Sequence, residues 1–469
     1  MPFNSKKEIY KIFIISVFLI AGALRISLAI VNREANDDHF QVVKIIKNEG
    51  RLPTYSECWE GFQPKLYHSV IAVLCKCIPS GHMPICIIMT QLLNCAAGMI
   101  TIYIVWSFLR NLAAAEWVKL VCLSFVALNP DLIGINAQAT NDSFVIMFST
   151  ATLYCFYLFF SGRKIKYFFG LIIFSVFAAL SKGSGIVLFF GILSVFILKL
   201  IVSRNFSLSL KRGYLSCILI FSFVYLTLVP LFGQYYYNYR QCGSPFVVNR
   251  EVDPFPDFFK ETYCYHPGVT SIKNSYLTFR LFDLIKHPTI TNDEKIYPLH
   301  RTSLWSQLHG RAHFIFFSMW PPTWQTENAI ILNMGRVILA LALIPALFLL
   351  VPVFRRIGAW FNAIIRNRFD FIINSNDWIF DVFFLAYICS LICYTLSYRE
   401  FNTMKAIYIF PALLSAVFLF SSEIERVYKH KRLVVLLSLF FGLLLVLYIL
   451  NITCLILKLS HLPIAKIFT

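Results

Sequence analysis

Residues 9–31 read IYKIFIISVFLIAGALRISLAIV, and the seven that follow, 32–38, read NREANDD. At 1.5 Å per residue the first stretch is long enough to cross a hydrocarbon core of roughly 30 Å. Its basic start, Lys6, Lys7 and Lys11, resembles that of a signal peptide, but it lacks a small-residue cleavage motif and is read as a membrane anchor. The second stretch ends in two adjacent carboxylates, Asp37 and Asp38, about six residues beyond the apolar run. Charge that close to a bilayer is costly unless it is hydrated, paired or functional.

The pattern of the first run recurs along the chain. Of 469 residues, 58% are hydrophobic and 14% charged, and mean hydropathy is +0.68. A soluble domain carries roughly 25% charged residues, so a water-soluble fold is excluded. Apolar runs fall at roughly 9–31, 85–109, 118–137, 142–161, 167–181, 183–202, 213–234, 328–353, 377–398, 403–421 and 433–457. The expected fold is an all-α polytopic membrane protein of about eleven transmembrane helices, one domain over residues 1–469. The two short runs flanking Lys182 are open to reading as one kinked or re-entrant unit.

The formal charge of +18 invites a nucleic-acid reading, but its placement argues otherwise. The basic clusters (Lys6 and Lys7; Arg163, Lys164 and Lys166; Lys199 to Arg212; Arg355 to Arg368; Arg426 to Arg432) lie at the ends of apolar runs. With a cytoplasmic N-terminus all of them fall on the cytoplasmic side, the positive-inside arrangement. No nucleic-acid partner is expected. Most of the thirteen cysteines sit in apolar runs and none shows zinc spacing; Cys242 and Cys264 are a candidate disulfide in an oxidising compartment.

Two polar segments interrupt the runs on the other side. The first, 32–84, contains a short interfacial helix around Phe40 to Asn48, then Leu52-Pro53 and an aromatic, Pro-containing stretch from Trp59 to His68, then an apolar piece ending at Ile78 that is too short to span. The second, 235–327, is rich in aromatics and Pro, with Arg301 to Met319 as a candidate amphipathic helix.

Several outer residues bear chemistry. Asp37 suits a general base with Asp38 orienting it or holding a cation; equally, the two acids cap the helix beginning near His39. The segment Asn129 to Asp142 is a polar island between apolar runs, whose Asp131, Asn136, Gln138, Asn141 and Asp142 offer carboxylates and amides suited to sugar hydroxyls, or a helix cap at Asn141 or Asp142. Lys182, within Ser181-Lys-Gly-Ser-Gly185, breaks the positive-inside trend and so suits an anion such as a lipid phosphate, or snorkels from a helix end. Arg399 and Lys405 are further outer cations, just before Tyr408-Ile-Phe-Pro411.

These segments resemble the GT-C superfamily of membrane glycosyltransferases, which includes the protein O-mannosyltransferases and the lipid A aminoarabinose transferases. The similar residues are Asp37-Asp-His39, Gly50-Arg-Leu-Pro53, Gln63-Pro-Lys-Leu-Tyr67, Thr140-Asn-Asp142, Lys182-Gly183 and Lys405-Ala-Ile-Tyr-Ile-Phe-Pro411, in that order. Asp38 stands where Glu is frequent, and Ile407 where Arg is often found. The resemblance implies a catalytic base at Asp37 with Asp38 beside it, a polyprenyl- or dolichyl-phosphate sugar donor whose phosphate meets Lys182, Arg399 or Lys405, and sugar or acceptor contacts from His39, Tyr67, Asn141, Asp142 and Tyr408. It further implies inverting transfer to a protein, glycan or lipid acceptor on the periplasmic or lumenal side of a bacterial inner membrane or the endoplasmic reticulum. No metal is obligatory, although the acidic pair is able to hold a divalent cation. The competing readings are a lipid or solute transporter or flippase, and a non-catalytic scaffold of the same fold. Related halves and mid-span ionisable residues would mark a transporter; the spans show no related halves, and Arg25 and Arg336 are their mid-span charges.

Overall fold

The computed structural model describes residues 5–32, 39–55, 57–78, 83–162, 164–202, 207–247, 272–288, 299–315, 328–369, 375–397 and 403–461. Asp37, Asp38, Arg399 and Cys264 lie outside the described residues. All regular structure in the described residues is helical.

Eight helical stretches among the described residues are long and apolar enough to cross a membrane, or nine if one bent pair counts as a span. They are Glu8–Val31, Pro84–Asn111, Asp142–Gly162, Gly183–Val202, Leu208–Phe232, Ala329–Ile365, Trp378–Leu396 and Lys431–Ser460. The polytopic all-α fold therefore holds, whereas the count of about eleven does not carry over, and the differences have local causes.

The run expected at 118–137 is two helices, α5 (Glu116–Ala127) and α6 (Pro130–Asn136), bent by 48°. Pro130 has no N–H to continue the ladder and holds Asn129 out of helical geometry; Asn129 instead caps α6, its side chain accepting from Leu132 N at 2.9 Å. Before them come α1 (Ser5–Val31), α2 (His39–Glu49), α3 (Leu66–Lys76) and α4 (Met83–Asn111). The run at 167–181 is α8 (Ile165–Ser181), which follows α7 (Asp142–Gly162) and at 17 residues is short of a span. It stops because Lys182 is fully extended (φ −156°, ψ 148°), after which a 3-10 turn, Gly183–Ile186, leads into α9 (Val187–Val202). That turn lies so close against α8 that a Cβ on Gly185 would sit 2.3 Å from the Ala178 carbonyl carbon.

Beyond α10 (Leu208–Phe232) come short helices: α11 (Tyr235–Cys242), α12 (Ile272–Tyr276), α13 (Leu281–Lys286) and α14 (Leu304–Arg311). The amphipathic helix expected at Arg301 to Met319 is thus α14 preceded by a 3-10 turn, with residues 316–319 outside the described part. The run expected to end at 353 continues as α15 (Ala329–Leu341) and α16 (Leu343–Ile365), so Arg355 and Arg356 lie inside a helix, where they pair with Glu423 and Asp381. After α17 (Trp378–Ser397), the run expected at 403–421 opens with 3-10 turns at Ala406–Tyr408 and Phe410–Ala412 before α18 (Leu413–Val427), and α19 (Lys431–Ser460) closes the bundle.

The core is largely aromatic. Phe156, Phe160, Phe168 and Phe196 pack edge-on or tilted at centroid distances of 5.0–6.4 Å, geometry that suits the ring quadrupoles. Outward faces stay apolar, as with Phe223 on α10 and Leu439 on α19, which is expected where the solvent is lipid. The described part of segment 32–84 packs as a cap: Phe40 and Val43 of α2 pack with Tyr67, Ile71 and Cys75 of α3 against Ile87 and Phe144. Gln234, left-handed at φ 69°, donates to Pro53 O (2.9 Å) and Gly61 O (3.1 Å), while Asn238 donates to Phe62 O (3.0 Å). These bonds clamp the first segment to the start of the second.

Candidate functional site

The break after Lys182 sets one side chain. Because the backbone is extended there, the ammonium reaches the start of α7, where Nζ meets Asp142 Oδ1 at 2.6 Å. The Asp142 carboxylate also accepts from Thr140 Oγ1 (2.8 Å), and Asn141 Nδ2 donates to Ser181 O (3.1 Å). The polar island and the Lys-Gly segment are thereby stitched together. α7 begins at Asp142, and the Asp142 carboxylate faces a cation.

Asn94, fully buried on α4, donates to Gln138 O (2.7 Å), Thr140 O (2.8 Å) and the Tyr67 hydroxyl (3.3 Å). A buried amide spanning three partners fixes both the island and α3. Tyr67 packs edge-on against Phe144, with ring centroids 5.2 Å apart, and burial pushes its phenol pKa up, so it stays neutral. His39 Nδ1 and His68 Nε2 lie 3.0 Å apart, and burial, with His39 and Lys65 nearby, pushes the His68 pKa well down.

On the opposite wall, the Tyr408 ring lies 5.9 Å from Lys182 Nζ and 5.4 Å from the Tyr394 ring. Leu304, Leu391 and Met404, with Tyr408 and Leu308 against them, form a small core that joins α14, the end of α17 and the 404–409 segment. At the end of α14 sits Arg311, 2% exposed, whose Nε donates to Gln307 Oε1 at 3.1 Å. Burial lowers its guanidinium pKa to about 9, opposed by the charge of Asp131, so it is protonated at neutral pH. Asp131, 7% exposed on α6, interacts electrostatically with Arg311, Asp142 and Lys405. The docking is tight: Asn129 Nδ2 donates to Ala312 O (2.7 Å), and a Cβ on Gly134 would sit 2.8 Å from Ile315.

The structure therefore gathers Lys182, Asp142, Tyr408 and Lys405 around Asp131 and Arg311, with Asn141 and Tyr67 attached through Ser181 and Asn94. Asp37, Asp38 and Arg399 fall outside the described residues, and His39 meets this group through Tyr67, its ring centroid 6.0 Å away. Sequence reading did not single out Arg311 or Asn94. Asn94 carried a signal, since Thr90, Gln91 and Asn94 are polar residues within an apolar run. Arg311 carried none beyond its place in the outer segment. Among the described residues no group of three or more His, Cys, Asp and Glu is placed to hold a metal ion.

The site can therefore engage an anion through Lys182, Arg311 and Lys405, and hydroxyls through Asp131 and Asp142. No curated protein matches the chain. Among solved structures, it is similar to the oligosaccharyltransferase of Archaeoglobus fulgidus in its complex with Zn and sulfate (13% identity, TM-score 0.43, covering 93% of this chain and 53% of that one). It is likewise similar to the archaeal oligosaccharyltransferase AglB of Archaeoglobus fulgidus bound to an inhibitory peptide and a dolichol-phosphate (13% identity, TM-score 0.46, covering 96% and 55%). The chain spans about half the length of these structures. Residues 85–241, which contain Asn94, Asp131, Asp142 and Lys182, match the model of the dolichyl-phosphate-mannose-protein mannosyltransferase family, in line with the GT-C resemblance of the sequence.

Proposed function

We propose that this membrane protein is a glycosyltransferase that moves a sugar from a polyprenyl- or dolichyl-phosphate carrier to a protein, glycan or lipid acceptor on the non-cytoplasmic face. The observation that carries this reading is the meeting of Lys182, Asp142 and Tyr408 beside the Asp131, Arg311 and Lys405 group, within and next to the segment matched by the mannosyltransferase family model. Segments 32–84 and 235–327 are assigned to the outer face as the caps of one membrane domain, in the bacterial inner membrane or the endoplasmic reticulum.

The cations suit the donor. Breaking the bond between the anomeric carbon and the phosphate oxygen leaves the electron pair on the phosphate, and a buried arginine with lysines beside it stabilises that charge more in the departing state than in the bound one. Arg311 adds a planar fork of donors to the point charges of Lys182 and Lys405. At the other end of the reaction, Asp37 takes the proton of the acceptor hydroxyl or amine as it attacks the anomeric carbon from the opposite face, inverting it, and Asp38 orients the base. Asp142 and Asp131, with Asn141, Tyr67, His39 and Tyr408, are assigned to sugar and acceptor hydroxyls. The step requires no metal; a divalent cation at Asp37 and Asp38 is the variant that chelation tests.

The test is incubation of membranes with a panel of labelled polyprenyl-phosphate sugars, followed by separation of protein, glycan and lipid products. A labelled product from wild type, absent with D37N at normal expression and folding, supports the reading. Full transfer by D37N removes Asp37 as the base.

A further inference from the structure

Arg25, on the first span, is a mid-span charge that the proposed chemistry leaves unused, and it is buried. It is 1% exposed, and its neighbours are oxygens of the protein interior: Nη1 donates to Ala127 O (2.7 Å) and Ala21 O (3.1 Å), and Nε donates to Asn136 Oδ1 (2.9 Å). Ala127 is the last residue of α5 and Asn136 the last of α6. The guanidinium therefore sits across the break in the bent pair, against the negative end of the α5 dipole and a carbonyl that the ruptured ladder leaves behind. In a bilayer a broken helix persists only where such groups are satisfied from inside the protein.

The bonds continue outward. Asn136 Nδ2 donates to Ser143 Oγ (3.0 Å), and Ser143 donates to Ile135 O (3.3 Å), so the far side of the clamp reaches the residue after Asp142. Asn136 also presses on α4, where a Cβ on Gly98 would lie 2.1 Å from its Oδ1. Seven residues on from Arg25, Asn32 Nδ2 donates to Ala137 O at 3.1 Å, tying the end of α1 to the same island.

We infer that Arg25 is a positioning residue: it holds the α5–α6 break, and with it Asp131 and Asp142, in fixed register with α1. The kinetic part of this inference rests on the glycosyltransferase reading; the structural part does not. Lysine offers a point charge that satisfies one of the two break-side acceptors, whereas methionine satisfies neither.

The experiment compares wild type, R25K and R25M as purified full chains in lipid nanodiscs, by hydrogen exchange and by transfer from a panel of labelled polyprenyl- and dolichyl-phosphate sugars to a mixed peptide, glycan and lipid acceptor pool. The expected result is at least tenfold faster exchange in peptides covering 128–141 for R25M, with α17 peptides unchanged. The expected kinetics are a tenfold or greater loss of kcat at near-constant donor KM, with R25K intermediate on both readouts. Unchanged exchange at 128–141, or an increase shared equally by α17, overturns the clamp. If wild type transfers no sugar from any donor of the panel while the local exchange change appears, the clamp stands and the donor assignment fails.

Discussion

Two ion pairs of the molecule, Arg356–Asp381 and Lys182–Asp142, differ in what surrounds them. At the start of α17, Asp381 accepts from Arg356 Nε (2.5 Å) and Trp360 Nε1 (3.3 Å), while Arg356 also lies 5.2 Å over the Phe418 ring. Lys182 and Asp142 meet instead where α7 begins and α8 has ended, with the Tyr408 ring 5.9 Å from the ammonium. The Arg356–Asp381 pair is closed by an indole and an aromatic face. The Lys182–Asp142 pair is instead joined by Asp131, Arg311 and Lys405, a group of mixed sign in which cations outnumber acids. A closed pair fixes helices, whereas an excess of cations in a buried place prepares it for an anion.

That difference can be broken by mutation. The largest effect is expected for K182M, which removes the charge proposed to meet the donor phosphate and leaves Asp142 buried without it: transfer from a polyprenyl-phosphate sugar is expected to fall by about 10²–10³, measured as initial rate in nanodiscs. R311M follows, with donor KM raised about tenfold to a hundredfold for the loss of one charge-assisted contact; R311K recovers part of it. By contrast, R356M leaves kcat and KM at wild-type values and lowers stability by about 1–3 kcal/mol, less than the loss for a fully buried pair because the Arg356 side chain is 24% exposed. Thermal unfolding in detergent measures it.

The same comparison shows what the sequence could and could not reveal. Lys182 was legible because it violates the positive-inside trend, and the Asn129 to Asp142 island because polar residues cluster between apolar runs. The bend at Asn129-Pro130 was half legible: the proline was in view, but hydropathy runs on through Ile135, so a span was expected where the chain breaks. Arg355 and Arg356 looked like a flanking cytoplasmic cluster, yet they lie within α16 because Glu423 and Asp381, distant in sequence, meet them there. Arg311 was illegible for the same reason. Its partner Asp131 is far away in the chain, and only the docking of Asn129 and Gly134 on residues 312–315 brings the two together.

The smallest expected effect concerns the cap. Lys65, buried with Nζ donating to Glu60 O (3.1 Å) and Gly61 O (2.5 Å), has its pKa lowered by burial from 10.5 to about 7. Between those two values the unfolded chain binds more protons than the folded one, so stability contributed by this site rises with pH from about 7 towards 10.5. The melting temperature of wild type relative to K65M therefore increases between pH 7 and pH 9 and stays level between pH 5 and pH 6. A flat difference across both windows contradicts the buried, neutral form.

The most direct measurement is single-turnover transfer by purified wild type, K182M and R356M in nanodiscs supplied with a panel of labelled polyprenyl- and dolichyl-phosphate sugars and a mixed peptide, glycan and lipid acceptor pool. The account predicts labelled acceptor and released lipid phosphate from wild type and R356M alike with at least one donor, and at least a hundredfold less from K182M. Equal transfer by K182M and wild type, or no transfer by wild type from any polyprenyl-phosphate sugar, would contradict it.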